Sequence, residues 1–202
     1  MIAIIDYDAG NIRSVEKALT ALGEQPVVTR DKENILAADK LILPGVGAFG
    51  DAMDNLKKYG LDEVIHEAVD RQIPLLGICL GLQLLFEGSD ESQGVEGLHV
   101  LDGQILRIPD QSGLKIPHIG WNSLHLQNDG RLFAGLEENP YVYFVHSYYV
   151  PVTAYCIATC DYQRSFAAAI CKNNFYGCQF HPEKSGMVGH KILLAFKEMV
   201  EC

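Results

Sequence analysis

The first half of the chain alternates short apolar runs with segments in which apolar residues recur every three or four positions. Short continuous apolar runs are typical of strands buried on both faces, and the longer spacing is typical of helices packed on one side. The runs predict strands at residues 2–5, 26–29, 40–43 and 75–78. The periodic segments predict helices at about residues 15–22, 50–58, 61–71 and 79–86. Strands that alternate with helices in this way form a parallel sheet covered by helices.

The second half changes to short strand-like segments separated by turn signals. The predicted strands are residues 100–108, 123–126, 141–149, 155–159, 166–171 and 175–180, with turns at 128–130 and 172–174 and a last helix at 186–200. The chain shows no linker, repeat or low-complexity tract. We therefore expect one domain over residues 1–202. Its fold class is α/β, a three-layer flavodoxin-like sandwich with a mixed, mostly parallel central sheet and helices on both faces.

Composition narrows the classes of partner. The chain has 202 residues, 48% of them hydrophobic, and a formal net charge of −10. This negative charge argues against nucleic acid or an anionic membrane surface as a partner. No apolar stretch approaches the roughly 20 residues needed to span a bilayer. The opening residues lack a basic segment and read as a strand rather than a signal peptide, so we expect a cytoplasmic protein.

Cysteine spacing gives no sign of a metal or a cofactor. None of the six cysteines lies in a C-x-x-C pair or has histidines at zinc-finger spacing. Cys156 and Cys160 lie four apart in a strand-like segment, which predicts buried thiols on one face of a sheet. Cys202 reads as part of a frayed end. Cys79 differs from the others because of the glycines that surround it.

Cys79 stands where an apolar run ends and a helix-like stretch begins, with Gly77 two residues before it and Gly81 two residues after it. This is the thiol form of the strand–turn–helix arrangement that presents a nucleophile at the edge of a sheet. The tight turn needs small flanking residues because the neighbours of a strained nucleophile crowd the backbone. At a helix N-terminus the thiolate is stabilised. The pattern therefore predicts a reactive cysteine.

A base and a carboxylate follow as His181-Pro182-Glu183. Pro182 disfavours the helical region for His181, so we expect an extended tripeptide whose first and third side chains point the same way. Glu183 would then fix the imidazole, and His181 would take the thiol proton and return it to a leaving amine. Alone this motif is weak, but beside the Cys79 turn it predicts covalent chemistry at a carbonyl.

Attack on a carbonyl needs donors for the oxyanion, and backbone N–H groups usually supply them. One is expected from Leu80, directly after the nucleophile. Another is expected from the glycine-rich turn Pro44-Gly45-Val46-Gly47, at Val46 or Gly47. Gln83, one helical turn beyond Cys79, and Glu91 are candidates for binding the polar groups of a substrate.

These motifs, in this order, resemble those of the class I (triad) glutamine amidotransferases. The resemblance implies that Cys79 attacks the side-chain amide of L-glutamine to give a thioester and ammonia, with His181 and Glu183 completing the triad. It also implies a set of oxyanion and substrate residues. These are Gly45, Val46, Gly47, Leu80, Gln83, Glu91, Ser147 and Tyr148.

Further segments, at residues 5–11, 43–49, 117–122, 143–148 and 179–185, are similar to one branch of that class over the whole chain. In this branch a glutaminase forms a heterodimer with a separate (β/α)8-barrel cyclase subunit, needs no cofactor, and passes ammonia to it for histidine biosynthesis. The resemblance implies weak turnover until the partner turns an oxyanion donor into the site. The implied interface residues are Asn11, Pro117, His118, Gly120, Trp121, Asn122, Tyr143 and Lys184.

Three alternatives stay open at this point. The first is a triad glutaminase that serves another synthase, against which residues 117–122 argue. The second is a free-standing cysteine hydrolase acting on peptides or glutamyl conjugates. The third is a binding module with an inactive site, which the complete Cys79, His181 and Glu183 set disfavours.

Overall fold

A computed structural model describes residues 1–110, 113–127 and 131–199, and its centre is an eight-stranded sheet. The strands are β1 (Ile2–Ile5), β2 (Val27–Thr29), β3 (Lys40–Leu43), β4 (Leu75–Ile78), β5 (Gly88–Ser89), β6 (Gln104–Arg107), β7 (His118–Ser123), β8 (His125–Leu126), β9 (Tyr141–His146), β10 (Tyr148–Tyr149), β11 (Cys156–Tyr162), β12 (Arg164–Lys172) and β13 (Phe175–Cys178). The helices are α1 (Ile12–Ala21), α2 (Lys32–Leu36), α3 (Phe49–Lys58), α4 (Leu61–Asp70), α5 (Leu80–Leu84) and α6 (Gly186–Glu198).

The central sheet has the order β2-β1-β3-β4-β13-β12-β11-β8. Strands β2, β1, β3, β4 and β13 run parallel, and the pairs from β13 through β12 and β11 to β8 are antiparallel. Smaller sheets of order β10-β6-β5 and β7-β9 lie beside it. The prediction of a mixed, mostly parallel sheet is confirmed. This order places the ends of β4 and β13 side by side, which brings distant parts of the sequence together.

Two hydrophobic cores lie on opposite faces of the sheet. Along β1, Ala3 and Ile5 pack into a core with α3 and α4, whereas Ile2 and Ile4 pack into a second core with α1 and α6. Every position of β4 is buried, as expected for a strand with helices on both faces. The predicted three-layer arrangement therefore follows from the continuous apolar runs.

Several local predictions are wrong, and each has a physical reason. Helix α5 ends at Leu84 rather than at residue 86, because backbone N–H groups of residues 98–101 bond to the carbonyls of Leu84, Leu85 and Phe86 and close its C-terminus. The sequence does not predict α2, a five-residue helix in which only Ile35 is buried, or β7, in which only His118 is buried, because neither element carries a run or period of buried apolar residues.

Cys156 and Cys160 do not share a face of the sheet. Bulges in the pairing of β11 with β12 shift the register between them, so Cys156 packs into one core and Cys160 into the other. Both are free thiols, as are the other described cysteines. The turn predicted at residues 128–130, the helix end at Val200 and the end residue Cys202 lie outside the described residues.

Candidate active site

The nucleophile candidate sits on a strained turn between β4 and α5. Cys79 has φ 53° and ψ −107°, a conformation that non-glycine residues rarely adopt, and is 6% exposed. A Cβ on Gly77 would lie 2.8 Å from the backbone of Gly81 and Leu82, and a Cβ on Gly81 would collide with the carbonyl oxygen of Leu43. The glycines on either side of Cys79 are therefore required by close backbone contacts, as the sequence predicts.

The base and its carboxylate meet behind the nucleophile. His181 Nδ1 lies 2.8 Å from Glu183 Oε1, and both side chains are fully buried. Since a carboxylate oxygen accepts, Nδ1 carries the proton and donates it, which leaves Nε2 for the thiol. His181 is extended, at φ −102° and ψ 96°, but Pro182–Lys184 forms a 3-10 turn instead of the extended chain that was expected.

The electrostatics of this pair favour a charged imidazole. Burial lowers the pKa of His181, but the interactions of its ring with Cys79 and Glu183 outweigh burial and raise that pKa to about 9. Nε2 itself has no hydrogen-bond partner of ordinary geometry among the described residues. The Cys79 thiol therefore lies near enough to His181 to raise its pKa, but no hydrogen bond of ordinary geometry joins the two side chains in this structure.

Asn11 is a participant that sequence reasoning placed elsewhere. Its side-chain Nδ2 donates to Glu183 Oε1 at 3.0 Å, and the residue is buried. The same carboxylate oxygen thus accepts from both His181 and Asn11. Asn11 lies behind the triad in this structure, and its assignment to a partner interface stays a prediction.

The glycine-rich turn after β3 has its carbonyl, not its N–H, directed at the expected oxyanion position. The N–H of Leu80 donates to the carbonyl oxygen of Gly45 at 3.3 Å. In a trans peptide the C=O and the following N–H point in opposite directions, so the N–H of Val46 points away from that of Leu80. The buried hydroxyl of Tyr7 donates to the Pro44 carbonyl at 2.6 Å and anchors the start of the turn. The two predicted donors do not converge in this structure.

A cavity of about 270 Å³ opens beside the thiol. Its lining residues are Val46, Gly47, Cys79, Leu80, Gln83, Glu91, Pro117, Val145, His146, Ser147 and Tyr148. The structure therefore brings together all of the predicted substrate residues except Gly45, whose carbonyl oxygen accepts the N–H of Leu80. A cavity of this size suits a ligand as small as an amino acid. Glu91 also accepts from the backbone N–H of Phe49 at 2.9 Å, which fixes its carboxylate at the rim.

The residues predicted for a partner interface fall into an outer and an inner group. Trp121 is 55% exposed, and its ring lies 6.0 Å from that of Tyr143 in an edge-to-face contact. Lys184 and Pro117 are exposed, and Gly120 is half-buried. His118 belongs to the inner group and is buried. Asn122 is half-buried, and its side chain donates to the carbonyl of Asp161 at 3.0 Å.

Sequence reasoning missed a pair of buried histidines. His118 Nδ1 lies 3.0 Å from His146 Nε2, and His146 Nδ1 lies 2.8 Å from the carbonyl oxygen of Tyr148. That carbonyl only accepts, so His146 carries its proton on Nδ1 and receives one from His118. Burial lowers the pKa of His118 to about 4 and that of His146 to about 3, so the pair is neutral near pH 7. Only the pairing of β7 with β9 reveals this contact, because the two residues are far apart in sequence.

No group of three or more His, Cys, Asp or Glu side chains able to hold a metal occurs within the described ranges. In the same part of the chain, no helix is both long and apolar enough to cross a membrane.

Fold and site together are those of an α/β protein with a cysteine on a strand–turn–helix beside a histidine–glutamate pair, an arrangement typical of enzymes that form thioesters. Residues 3–200 match the family described as glutamine amidotransferase class-I. The chain belongs to this family, as its motifs predict.

Relatives with similar sequences agree over their full length. The chain is 48% identical over 201 residues to the imidazole glycerol phosphate synthase subunit HisH of Methanocaldococcus jannaschii, covering 99% of this chain and 100% of the relative. It is 52% identical to the protein of the same name in Streptococcus gordonii, covering 99% and 97% of the two chains.

Solved structures share the fold at low sequence identity. A structure described as a glutamine amidotransferase has a TM-score of 0.76 at 18% identity and 98% coverage of both chains. The structure of PurLQS from Thermotoga maritima has a TM-score of 0.75 at 21% identity, covering 97% of this chain and 96% of that one. These similarities confirm the predicted fold class.

Proposed function

We propose that this chain is the glutaminase subunit of an imidazole glycerol phosphate synthase and forms a heterodimer with a (β/α)8-barrel cyclase subunit. It hydrolyses L-glutamine to glutamate and ammonia, and the cyclase uses the ammonia to make imidazole glycerol phosphate and aminoimidazole carboxamide ribonucleotide. The observation that carries the proposal is the placement of Cys79 against the His181–Glu183 pair beside a cavity of amino-acid size. The full-length similarity to proteins named HisH supports the choice of synthase.

The chemistry follows from the protonation states at the site. The Cys79 sulfur attacks the side-chain carbonyl carbon of glutamine while its proton passes to His181 Nε2. The C–N bond then breaks, and His181 returns that proton to the leaving ammonia, which leaves a glutamyl thioester. Water, deprotonated by His181, attacks the thioester, releases glutamate and restores the thiol. Glu183 holds the ring and stabilises its positive charge throughout.

The oxyanion turn explains why the partner would control the rate. With the Gly45 carbonyl bonded to the Leu80 N–H, the negative oxygen of the tetrahedral intermediate would meet a carbonyl instead of two donors. Rotation of the peptide unit between Gly45 and Val46 would release the Leu80 N–H and turn the Val46 N–H inward. Loss of one such donor costs about 3–4 kcal/mol, or about 10²–10³ in rate. We propose that docking of the cyclase favours the rotated form.

The surface that would receive the cyclase is the outer face of the β7–β9 pair. Ile119, Trp121 and Tyr141 are exposed there, and Met187 on α6 is exposed as well. Exposed apolar side chains concentrated on one face mark a protein interface, and aromatic anchors commonly supply its binding energy. The opposite face of the same strands carries His146 next to the cavity. Docking would therefore act on strands that also form the cavity wall.

The free thiols of the described residues are typical of a reducing compartment, in keeping with a cytoplasmic enzyme.

The test is nitrogen transfer in the assembled complex. The full chain and the cyclase subunit of the same organism are supplied with glutamine carrying ¹⁵N in the side-chain amide, and the label is followed into imidazole glycerol phosphate. We expect labelled product, and glutamine hydrolysis about 10²–10³ faster with the cyclase and its nucleotide than without them. Cys79→Ala should abolish transfer from glutamine but retain synthesis from ammonium salts, whereas Cys171→Ala, at a half-buried free thiol, should behave as the native chain.

Two results would contradict the proposal. One is a complex that makes product from ammonium salts but not from glutamine. The other is a chain that hydrolyses glutamine at the full rate without the cyclase, which would remove the regulatory part and favour a free-standing hydrolase.

A further inference from the structure

Gln179 is a fully buried polar residue that the triad chemistry does not use, and its side chain reaches the sulfur of the nucleophile. It follows β13 directly, and the N–H of Cys79 donates to the carbonyl of Cys178 at 2.7 Å. The backbone N–H of Gln179 donates to the Ala168 carbonyl at 2.9 Å. These bonds fix the backbone of Gln179 beside Cys79. Its Nε2 lies 3.6 Å from Cys79 Sγ, within reach of an N–H···S hydrogen bond.

The orientation of the Gln179 amide is set by its partners. The carbonyl oxygen of Tyr148 only accepts, so Gln83 must direct its Nε2 at it, 3.1 Å away. The same Gln83 Nε2 donates to Gln179 Oε1 at 3.1 Å. Turning the Gln179 amide over would place two donor groups against each other. The nitrogen of Gln179 therefore faces the sulfur, and its oxygen faces Gln83.

The Cys79 sulfur also contacts the carbonyl oxygen of Val145, and this contact makes the Gln179 N–H important once the thiol has lost its proton. The thiol of Cys79 donates to the carbonyl oxygen of Val145 at 3.9 Å. Once the proton has moved to His181, that carbonyl faces a negative sulfur and disfavours it. An N–H donor stabilises the ionised form of the group to which it donates. Gln179 is placed to offset the unfavourable carbonyl.

We propose that Gln179 has two roles in this site. Its N–H stabilises the Cys79 thiolate, and its oxygen holds the Gln83 amide in the orientation that glutamine meets in the cavity. The first role concerns the sulfur alone, whereas the second rests on the proposed glutaminase function. The two roles predict different measurements, so each can fail separately.

The first role is tested by alkylation of the full chain with iodoacetamide across a pH series, with modification of the Cys79 peptide followed by mass spectrometry. Gln179→Met keeps the side-chain volume but removes the N–H donor, and it should move the pH midpoint of alkylation upward by about one unit. Such a shift corresponds to a tenfold lower thiolate fraction at a given pH below the midpoint. Gln179→Glu, which in its ionised form offers no hydrogen to the sulfur, should move it at least as far. Gln127→Met, the same exchange at an exposed glutamine, should leave it unchanged.

The second role is tested with glutamine turnover in the complex. Gln179→Met should raise KM severalfold in addition to lowering kcat, because Gln83 loses a partner. Gln179→Glu keeps an oxygen toward Gln83 and should lower kcat with a smaller change in KM. A side chain needed only for packing would give neither the pH shift nor this division between kcat and KM.

An unchanged alkylation midpoint in folded Gln179→Met and Gln179→Glu chains would overturn the first role, and an unchanged KM in Gln179→Met would overturn the second. If both variants fail to fold, the native chain still decides the first role by NMR. The side-chain amide signals of Gln179 should shift across the pH range in which Cys79 becomes reactive, and this shift should be absent in Cys79→Ser. Gln179 amide signals that do not change over this pH range would refute the first role. Inactivity of the native complex on glutamine would instead contradict the proposed function and leave the alkylation result valid.

Discussion

Replacing Glu183 with glutamine keeps the side-chain volume and an oxygen for the Nδ1–H of His181, but it removes the negative charge. In the native site the pKa of His181 is about 9, against an ordinary 6.5, even though burial lowers it. A rise of about 2.5 units corresponds to about 3 kcal/mol in favour of the imidazolium, shared between Cys79 and Glu183. We therefore expect Glu183→Gln to lower kcat/KM for glutamine in the complex by about ten- to a hundredfold.

The same substitution predicts a pH dependence of stability with a definite sign. A histidine whose pKa is raised in the folded state contributes stability that is fully present below its unfolded pKa of about 6.5 and is lost as the pH rises through about 9. The deficit of Glu183→Gln in free energy of unfolding should therefore be largest at about pH 6 and should shrink toward pH 9. Urea unfolding of both chains at several pH values measures this difference.

The matched control is Glu87→Gln, which makes the same change at a carboxylate that accepts from the Gly103 N–H outside the cavity. It should leave glutamine turnover unchanged. A folded Glu183→Gln chain with native kcat/KM, or with a stability deficit that does not vary with pH, would show that the carboxylate does not stabilise the imidazolium and would refute the reasoning.

Three further predictions concern backbone fit, acid stability and partner binding. Gly81→Ala should lower the free energy of unfolding by about 3 kcal/mol or more, because the added Cβ would collide with the carbonyl oxygen of Leu43. Urea unfolding measures this cost, and a value below about 1 kcal/mol would contradict the prediction. In the unfolded chain the two histidines take up protons below about pH 6.5, whereas folded His118 and His146 stay neutral down to about pH 4 and about pH 3. The free energy of unfolding should therefore fall as the pH drops below 6.5, and His118→Gln should make this fall less steep. An equally steep fall in His118→Gln would contradict the neutral pair. Trp121→Ala should weaken cyclase binding by about 2 kcal/mol in calorimetry while changing the free energy of unfolding by less than about 0.5 kcal/mol. The control Val152→Ala, also at an exposed apolar side chain, should change neither the affinity nor the stability. Native affinity in Trp121→Ala would exclude this face as the interface.

The parts of the fold that the sequence predicts well are those determined by local burial. The sequence predicts strands β1, β3 and β4 to the residue because the buried positions of each form a continuous apolar run that is covered on both faces. The spacing of Gly77 and Gly81 around Cys79 likewise reflects contacts within a short stretch and the neighbouring strand end. A motif is readable from sequence where its physical cause lies within a few residues.

The parts that were missed depend on long-range register and on backbone orientation. The contact of His118 with His146 needs the pairing of β7 with β9, and the reach of Gln179 to Cys79 needs the adjacency of β13 and β4. The early end of α5 is caused by hydrogen bonds from residues 98–101. The direction of the Gly45 carbonyl is a choice between two peptide orientations with the same sequence. None of these leaves a periodic or compositional signal.

The group that occupies the expected oxyanion position is part of the main chain, and this limits how mutation could release the enzyme from the proposed control by the cyclase. Deleting a side chain cannot remove the Gly45 carbonyl, so under the proposed control by the cyclase we expect that loss-of-contact substitutions at the surface do not create a permanently active glutaminase. Variants that escape control should instead change the torsional preferences of residues 45–47, where Gly47 already adopts a φ of 114°. A selection for glutamine hydrolysis without the cyclase should therefore recover changes clustered in that one turn.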